Sequence, residues 1–184
     1  MPQIPFIAYA EDCLVYAEFE FSGGRLSDYL NKQGDLGLTN AQLQARDDGH
    51  IVTLDELTLS LDDIFAIEAR GPRGSRDRRI HTSPNRLEFD LGAYQVMGHL
   101  HTKPGADPVS AMMRRQPFLP LTASTIAFTL AGSMRMRDVQ TVIVNRRHVV
   151  SVRPPAFDSS TLDAIPISTP DSRAKDLTGW LYAP

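Results

Sequence analysis

The clearest pattern in the chain is a two-residue alternation near its start. Phe19 and Phe21 alternate with Glu18 and Glu20, the period of a strand with one face buried. Gly23-Gly24 then supplies a turn. Leu26 to Asn31 is too short for a free helix and predicts one helical turn, with Leu26 and Leu30 inward at i,i+4. Leu36 to Gln44 predicts a second strand, and Asp47-Asp48-Gly49 a hairpin turn. Ile51 to Leu54, Leu57 to Leu61 and Ile64 to Ala69 predict further short strands, with Asp62-Asp63 between the last two.

The same order returns later. Met97-Gly98-His99-Leu100-His101-Thr102 leads to Pro104-Gly105, then Pro108 to Met113, then Leu119-Pro120-Leu121-Thr122. The Leu-x-Leu-Thr anchors begin at Leu36 and Leu119, and the strands before them keep nearly the same offset. A small difference in the length of the intervening turn accounts for the remainder. After the second anchor come strands at Ser124 to Leu130, Met134 to Arg137, Val139 to Val144 and His148 to Val152. Ala131-Gly132 and Asn145 to Arg147 are the turns. The chain therefore reads as an internal repeat. About five short strands per unit, closely spaced, predict a mainly β protein of two tandem small barrels, each with a short helical turn. Barrel closure would remove most of the exposed sheet edge.

The expected organisation is an apolar N-terminal arm over residues 1–13 (Ile4, Phe6, Ile7, Tyr9), then a first barrel over 14–69. An Arg-rich linker over 70–93, a second barrel over 94–152 and an extended tail over 153–184 follow. The tail is rich in Pro and Ser, with apolar islands at Phe157, at Leu162, Ile165 and Ile167, and at Trp180-Leu181-Tyr182. Such a tail can wrap a surface.

The second unit's close, Val144-Asn145-Arg146-Arg147-His148-Val149-Val150-Ser151-Val152, resembles the second signature of Sm-like proteins. That signature is an apolar strand, a tight polar turn containing Arg and another apolar strand. Gly98-His99-Leu100 and Asp28-Tyr29-Leu30-Asn31 resemble parts of the first signature. The resemblance implies small Sm-like or SH3-like barrels over about residues 14–69 and 94–152. It also implies an RNA-binding alternative, in which an Asp/Asn pair and an Arg-Gly pair hold single-stranded RNA. Asp28 and Asn31 stand in the first unit, but its last turn is Leu61-Asp62-Asp63, without Arg. The second unit has Arg146, followed by Arg147 rather than Gly, and Met112-Met113 replaces the Asp/Asn pair. Neither unit carries a whole RNA pocket. The layout is also similar to peripheral cytoplasmic subunits of bacterial photosynthetic reaction-centre complexes, which cap membrane subunits. That resemblance implies membrane-embedded protein partners and a place on the cytoplasmic face.

Charge sharpens the choice of partner. Residues 1–69 carry 3 basic and 13 acidic residues, a net of −10, whereas residues 70–79 hold five Arg and Asp77. Residues 80–152 carry 8 basic and 4 acidic residues. The two halves can attract each other, stack head to tail between copies or meet different partners. A pI of 5.9 and the acidic first unit weigh against a phosphate backbone as ligand. Arg70, Arg73, Arg76, Arg78 and Arg79 suit an acidic protein surface, or an anionic membrane face at about 1 kcal/mol per residue.

Catalytic signals do not converge. Asp47-Asp48, Asp55-Glu56 and Asp62-Asp63 fall at predicted turns, where solvated acids are ordinary. No Gly-Lys-Ser/Thr phosphate loop and no Gly-x-Ser-x-Gly elbow occur. His99 and His101 face one side of a strand, but a zinc site needs further ligands, and His50, His81 and His148 have no diagnostic spacing. Cys13 lies beside Glu11 and Asp12, which discourage a thiolate, and one Cys fits a reducing cytoplasm. No apolar run approaches the roughly 18 residues of a membrane span. Met112, Met113, Met134 and Met136 suit either a core or an adaptable contact face.

The expectation is therefore a non-catalytic accessory or scaffold subunit without metal or cofactor, docking onto the protein subunits of a larger assembly. Its expected contacts are Arg70, Arg73, Arg76, Arg78, Arg79, Phe157, Trp180, Leu181 and Tyr182. Under the RNA alternative, Arg146 and Arg147 hold phosphates.

Overall fold

A unit of strand, strand, helical turn, strand, strand, 3₁₀ turn and strand is traversed twice. The computed structural model describes residues 3–21, 23–69 and 81–155. The first pass comprises β1 (Gln3–Ala10), β2 (Cys13–Glu20), α1 (Leu26–Leu30), β3 (Asp35–Ala45), β4 (Ile51–Ser60), a 3₁₀ turn at Leu61–Asp63 and β5 (Ile64–Ala69). The second comprises β6 (Ser83–Asp90), β7 (Tyr94–Thr102), α2 (Pro108–Met113), β8 (Phe118–Leu130), β9 (Ser133–Asn145), a 3₁₀ turn at Arg146–His148 and β10 (Ser151–Arg153).

The chain is mainly β, as its pattern predicts, but the ten strands form one open antiparallel sheet rather than two separately closed barrels. Their order is β10-β6-β7-β8-β9-β5-β1-β2-β3-β4. Each half has the order fifth, first, second, third, fourth, and the halves join where β9 pairs with β5. That joint occupies the strands whose pairing would otherwise close each half on itself.

Two stretches expected outside the barrels form strands. Ile4, Phe6, Ile7 and Tyr9, expected in an arm, lie in β1, which pairs with β2 on one side and β5 on the other. Within the expected linker, residues 83–90 form β6, paired with β7 and β10. In both cases the strand owes its place partly to a partner far along the chain, as with Tyr9↔Ala66 and Phe89↔Val152. A local alternation pattern carries no record of such pairing. The segments read as separate strands at Ile51 to Leu54 and Leu57 to Leu61 are largely one strand, β4.

The repeat extends to irregularities. The β2–β3 register shifts between Tyr16 and Glu18, and the β7–β8 register shifts at the equivalent place, between Met97 and His99. At these bulges Asn40 has φ 50°, and its second-half counterpart Ala123 has φ 47°. An extra residue in a left-handed conformation is how a strand bends within a ladder. Leu26 and Leu30 of α1 are buried, as their spacing predicts. In α2, Asp107 caps the first turn by accepting from the Ser110 N–H at 2.7 Å, and Pro108 opens it.

Each half buries its own core, and each core borrows from the other half. The first gathers Phe6, Phe19, Phe21, Leu30, Leu36 and Leu38, and takes in Phe118 and Ile143. The second gathers Leu87, Phe89, Tyr94, Val96, Leu121 and Phe128, and takes in Ile7, Tyr9, Leu14 and Ala66. Strand β1 thus serves the first core with Phe6 and Ala8 and the second with Ile7 and Tyr9.

Where the strands bulge, small residues are required. A Cβ on Gly98 would meet Ser124 Oγ at 2.4 Å and Leu121 Cβ at 3.1 Å. The first-half counterparts of Gly98 and Ser124 are Ala17 and Ala41. Gly98→Ala is expected to cost about 1–3 kcal/mol, and adding Ser124→Ala, which recreates the first-half pair, to recover much of it. Urea unfolding of the single and double variants checks this; a double variant no more stable than the single would break the equivalence.

Candidate functional site

The described residues present two features outside an ordinary β fold: a polar seam between the halves, and two sheet edges without neighbours. The seam is short. Val142, Ile143 and Val144 pair with Glu68, Ile67 and Ala66, and all six residues are buried. Glu68 is only 1% exposed. Its Oε1 accepts from the Tyr9 hydroxyl at 2.6 Å and lies 3.2 Å from the Arg137 guanidinium. Burial first, and the Glu68 charge second, push the Tyr9 phenol well above its ordinary range, so it stays a proton donor. Burial also raises Tyr16, although Arg137 opposes it. Its Oε1 is thus held by donors inside the sheet, beside the β5–β9 joint. Sequence reading missed this network; its one signal was an acid at the end of the apolar run Ile64 to Ile67.

At one end of the seam the two 3₁₀ turns meet. Buried Asn145 donates to the carbonyls of Leu61 at 3.2 Å and Ile64 at 2.9 Å, and accepts from the Arg147 N–H at 3.1 Å. The Arg147 guanidinium pairs with the Asp62 carboxylate, both well exposed. His148 Nε2–H donates to the Asp62 carbonyl at 2.7 Å, and its ring stacks on Phe65 at 4.1 Å. The Arg146 N–H donates to the Pro117 carbonyl at 2.8 Å. Asn31, beyond α1, donates to the carbonyls of Ser27 at 2.7 Å and Phe118 at 3.1 Å and accepts from the Phe118 N–H at 2.9 Å.

The fold therefore brings Arg146, Arg147 and Asn31 to the joint between the halves. The Asn31 amide and the Arg147 guanidinium are already engaged with other parts of the chain. Arg70, Arg73, Arg76, Arg78, Arg79, Phe157, Trp180, Leu181 and Tyr182 lie outside the described residues.

Elsewhere, both ring nitrogens of His101 face threonine hydroxyls, Nε2 to Thr122 at 2.8 Å and Nδ1 to Thr82 at 3.3 Å. Among the described residues no group of three or more His, Cys, Asp or Glu is placed to hold a metal. Partial burial, and then Asp12, push the Cys13 thiol above its ordinary range.

The edges are β4 and β10, the outermost strands of the sheet. On β4, Ile51, Val52 and Leu54 are 47%, 45% and 37% exposed. Met134 and Met136, at the start of β9, are each 70% exposed, whereas Met112 is buried. From Ile51 to Asp63 the chain carries four acids (Asp55, Glu56, Asp62, Asp63) and no base. From Arg146 to Arg153 it carries three Arg and no acid. Among the described residues no helix is long and apolar enough to cross a membrane. No family model, no curated protein and no solved structure matches this chain.

Proposed function

We propose that this chain is a non-catalytic accessory or scaffold subunit that docks onto other proteins through the open edges of its sheet. The observation that carries the reading is β4, ten residues long, outermost in the sheet and exposing Ile51, Val52 and Leu54. An edge of that length is a template for an added strand, with main-chain hydrogen bonds supplying affinity and alternate side chains supplying selectivity. The small-barrel reading of each half is supported by the repeated five-strand unit, with its helical turn and its own core.

The test is affinity capture of the full chain from its own cells, with and without nuclease and mild detergent, beside a Val52→Lys/Leu54→Lys variant. A set of proteins in fixed stoichiometry is expected to survive nuclease. The variant's recovery is expected to fall about tenfold or more, the equivalent of roughly 1.4 kcal/mol. Membrane proteins in that set would identify the assembly as a membrane complex. Capture of RNA alone, lost with nuclease, would replace docking with nucleic-acid binding.

A further inference from the structure

We infer that the β4 edge takes the β10 edge of a second copy of this chain, head to tail, in the register that β9 and β5 use within one chain. The inference rests on the docking role proposed above and names the partner of that edge. Aligning the two halves sets Leu57-Thr58-Leu59 of β4 on Val142-Ile143-Val144 of β9. The same offset sets Ala66-Ile67-Glu68 of β5 on Ser151-Val152-Arg153 of β10. The Leu-x-Leu-Thr strands support this alignment: Leu36 pairs with Leu59, and Leu119 with Val144. So β4 is to β9 what β10 is to β5. One such joint is made inside the chain, and among the described residues its two counterparts remain unmade at opposite ends of the sheet.

The unmade surfaces have the right composition. Leu57, Leu59 and Val152 are half-buried where their counterparts Val142, Val144 and Ile67 are fully buried. Pro154 and Pro155 end β10 after three residues, the length of the internal joint.

Charge selects the partner. Inside the chain, Arg137 and Arg147 from the β9 side meet Glu68 and Asp62 from the β5 side. Between copies, Asp55, Glu56 and Asp63 of β4 and its turn would lie on the side of Arg146 and Arg153 of the next copy, while Arg147 keeps Asp62 and Arg153 also meets Glu88 at 2.7 Å within each chain. A two-fold pairing of β4 with β4 would instead set acidic strands side by side, which is unfavourable. The resulting contact is heterologous, so it propagates and ends in a ring or a filament. The register places Leu59 opposite Ser151, Thr58 opposite Val152 and Leu57 opposite Arg153.

The full chain with Cys13→Ser provides a background for Thr58→Cys and Val152→Cys, each made separately. A short bis-maleimide should join the two variants as a covalent dimer when they are mixed, and neither variant to itself. Light scattering of the unmodified chain should give a multiple of 20.4 kDa that falls as salt is raised. Thr58→Pro, on an edge strand, should give the monomer with unchanged circular dichroism. Cross-linking of Thr58→Cys to itself would establish β4–β4 pairing and overturn the inference. So would a 20.4 kDa mass at every concentration. In that last case a foreign protein captured through β4 would leave the docking role standing while removing the second copy as partner.

Discussion

Glu68→Ala is expected to destabilise the fold by about 3 kcal/mol or more. Removing one member of a buried charged pair typically costs roughly 3–5 kcal/mol, because the partner is left without compensation. Here Arg137 would lose its carboxylate partner, keeping the Tyr16 hydroxyl, and the Tyr9 hydroxyl would lose its 2.6 Å bond. The Arg137 side chain keeps 28% of its surface in water, which places the cost at the lower end. Because Glu68 lies in the three-residue joint of β5 with β9, the loss falls on the contact that unites the halves. Glu68→Gln keeps the size and one acceptor and is expected to cost less. Urea midpoints with unchanged slopes are the measure, and an Ala variant within about 1 kcal/mol of the parent would show that the pair does not hold the seam.

Raising the pH above about 10 is expected to destabilise the chain steeply. Tyr9, Tyr16 and Tyr94 all have phenols pushed above the ordinary value, with burial the first cause in each. The unfolded chain releases these protons near pH 10, while the folded chain retains them. The unfolded state then binds fewer protons, so stability falls as pH rises. The limiting slope is about 1.4 kcal/mol per pH unit for each tyrosine, or roughly 4 for three. The contribution is complete below about pH 10 and is lost progressively above it. Urea midpoints should change little between about pH 8 and 9 from this cause and drop between about 10 and 11. Tyr9→Phe should remove about a third of the slope. An undiminished midpoint at about pH 11 would mean that the phenols reach solvent.

The sequence makes the local elements legible and leaves their long-range pairing hidden. The alternation at Phe19 and Phe21, the inward Leu26 and Leu30, the turns at Gly49 and Ala131-Gly132, and the Leu-x-Leu-Thr anchors all depend on neighbours a few residues away. Strand β1 is harder, because Ile4, Phe6, Ile7 and Tyr9 serve two cores and so show no clean alternation. A run buried on both faces gives no period by which to distinguish an arm from a strand. The open sheet is hidden for a related reason: closure depends on which distant edge reaches β5, and β9 takes it. Of the candidate site, Arg146 and Arg147 are visible as a basic turn. Their place against Pro117 and Asp62 follows only from contacts made across distant parts of the chain.

The sharing of cores also sets the order in which the chain can mature. The first half's core includes Phe118 and Ile143, so it cannot be completed when Ala69 has just been synthesised. The β5 edge and the far face of β1 must wait until the chain has passed Val144. At roughly 5–20 residues per second, synthesis from Ala69 to Val144 takes several seconds. During that interval a nascent chain carries an apolar strand, Ile64 to Ile67, that can pair with β1 on one side only, beside buried-type side chains awaiting their cover. The fold is therefore completed late, with long-range strand pairing setting its pace, and the risk of misassembly concentrates in the interval between the two halves.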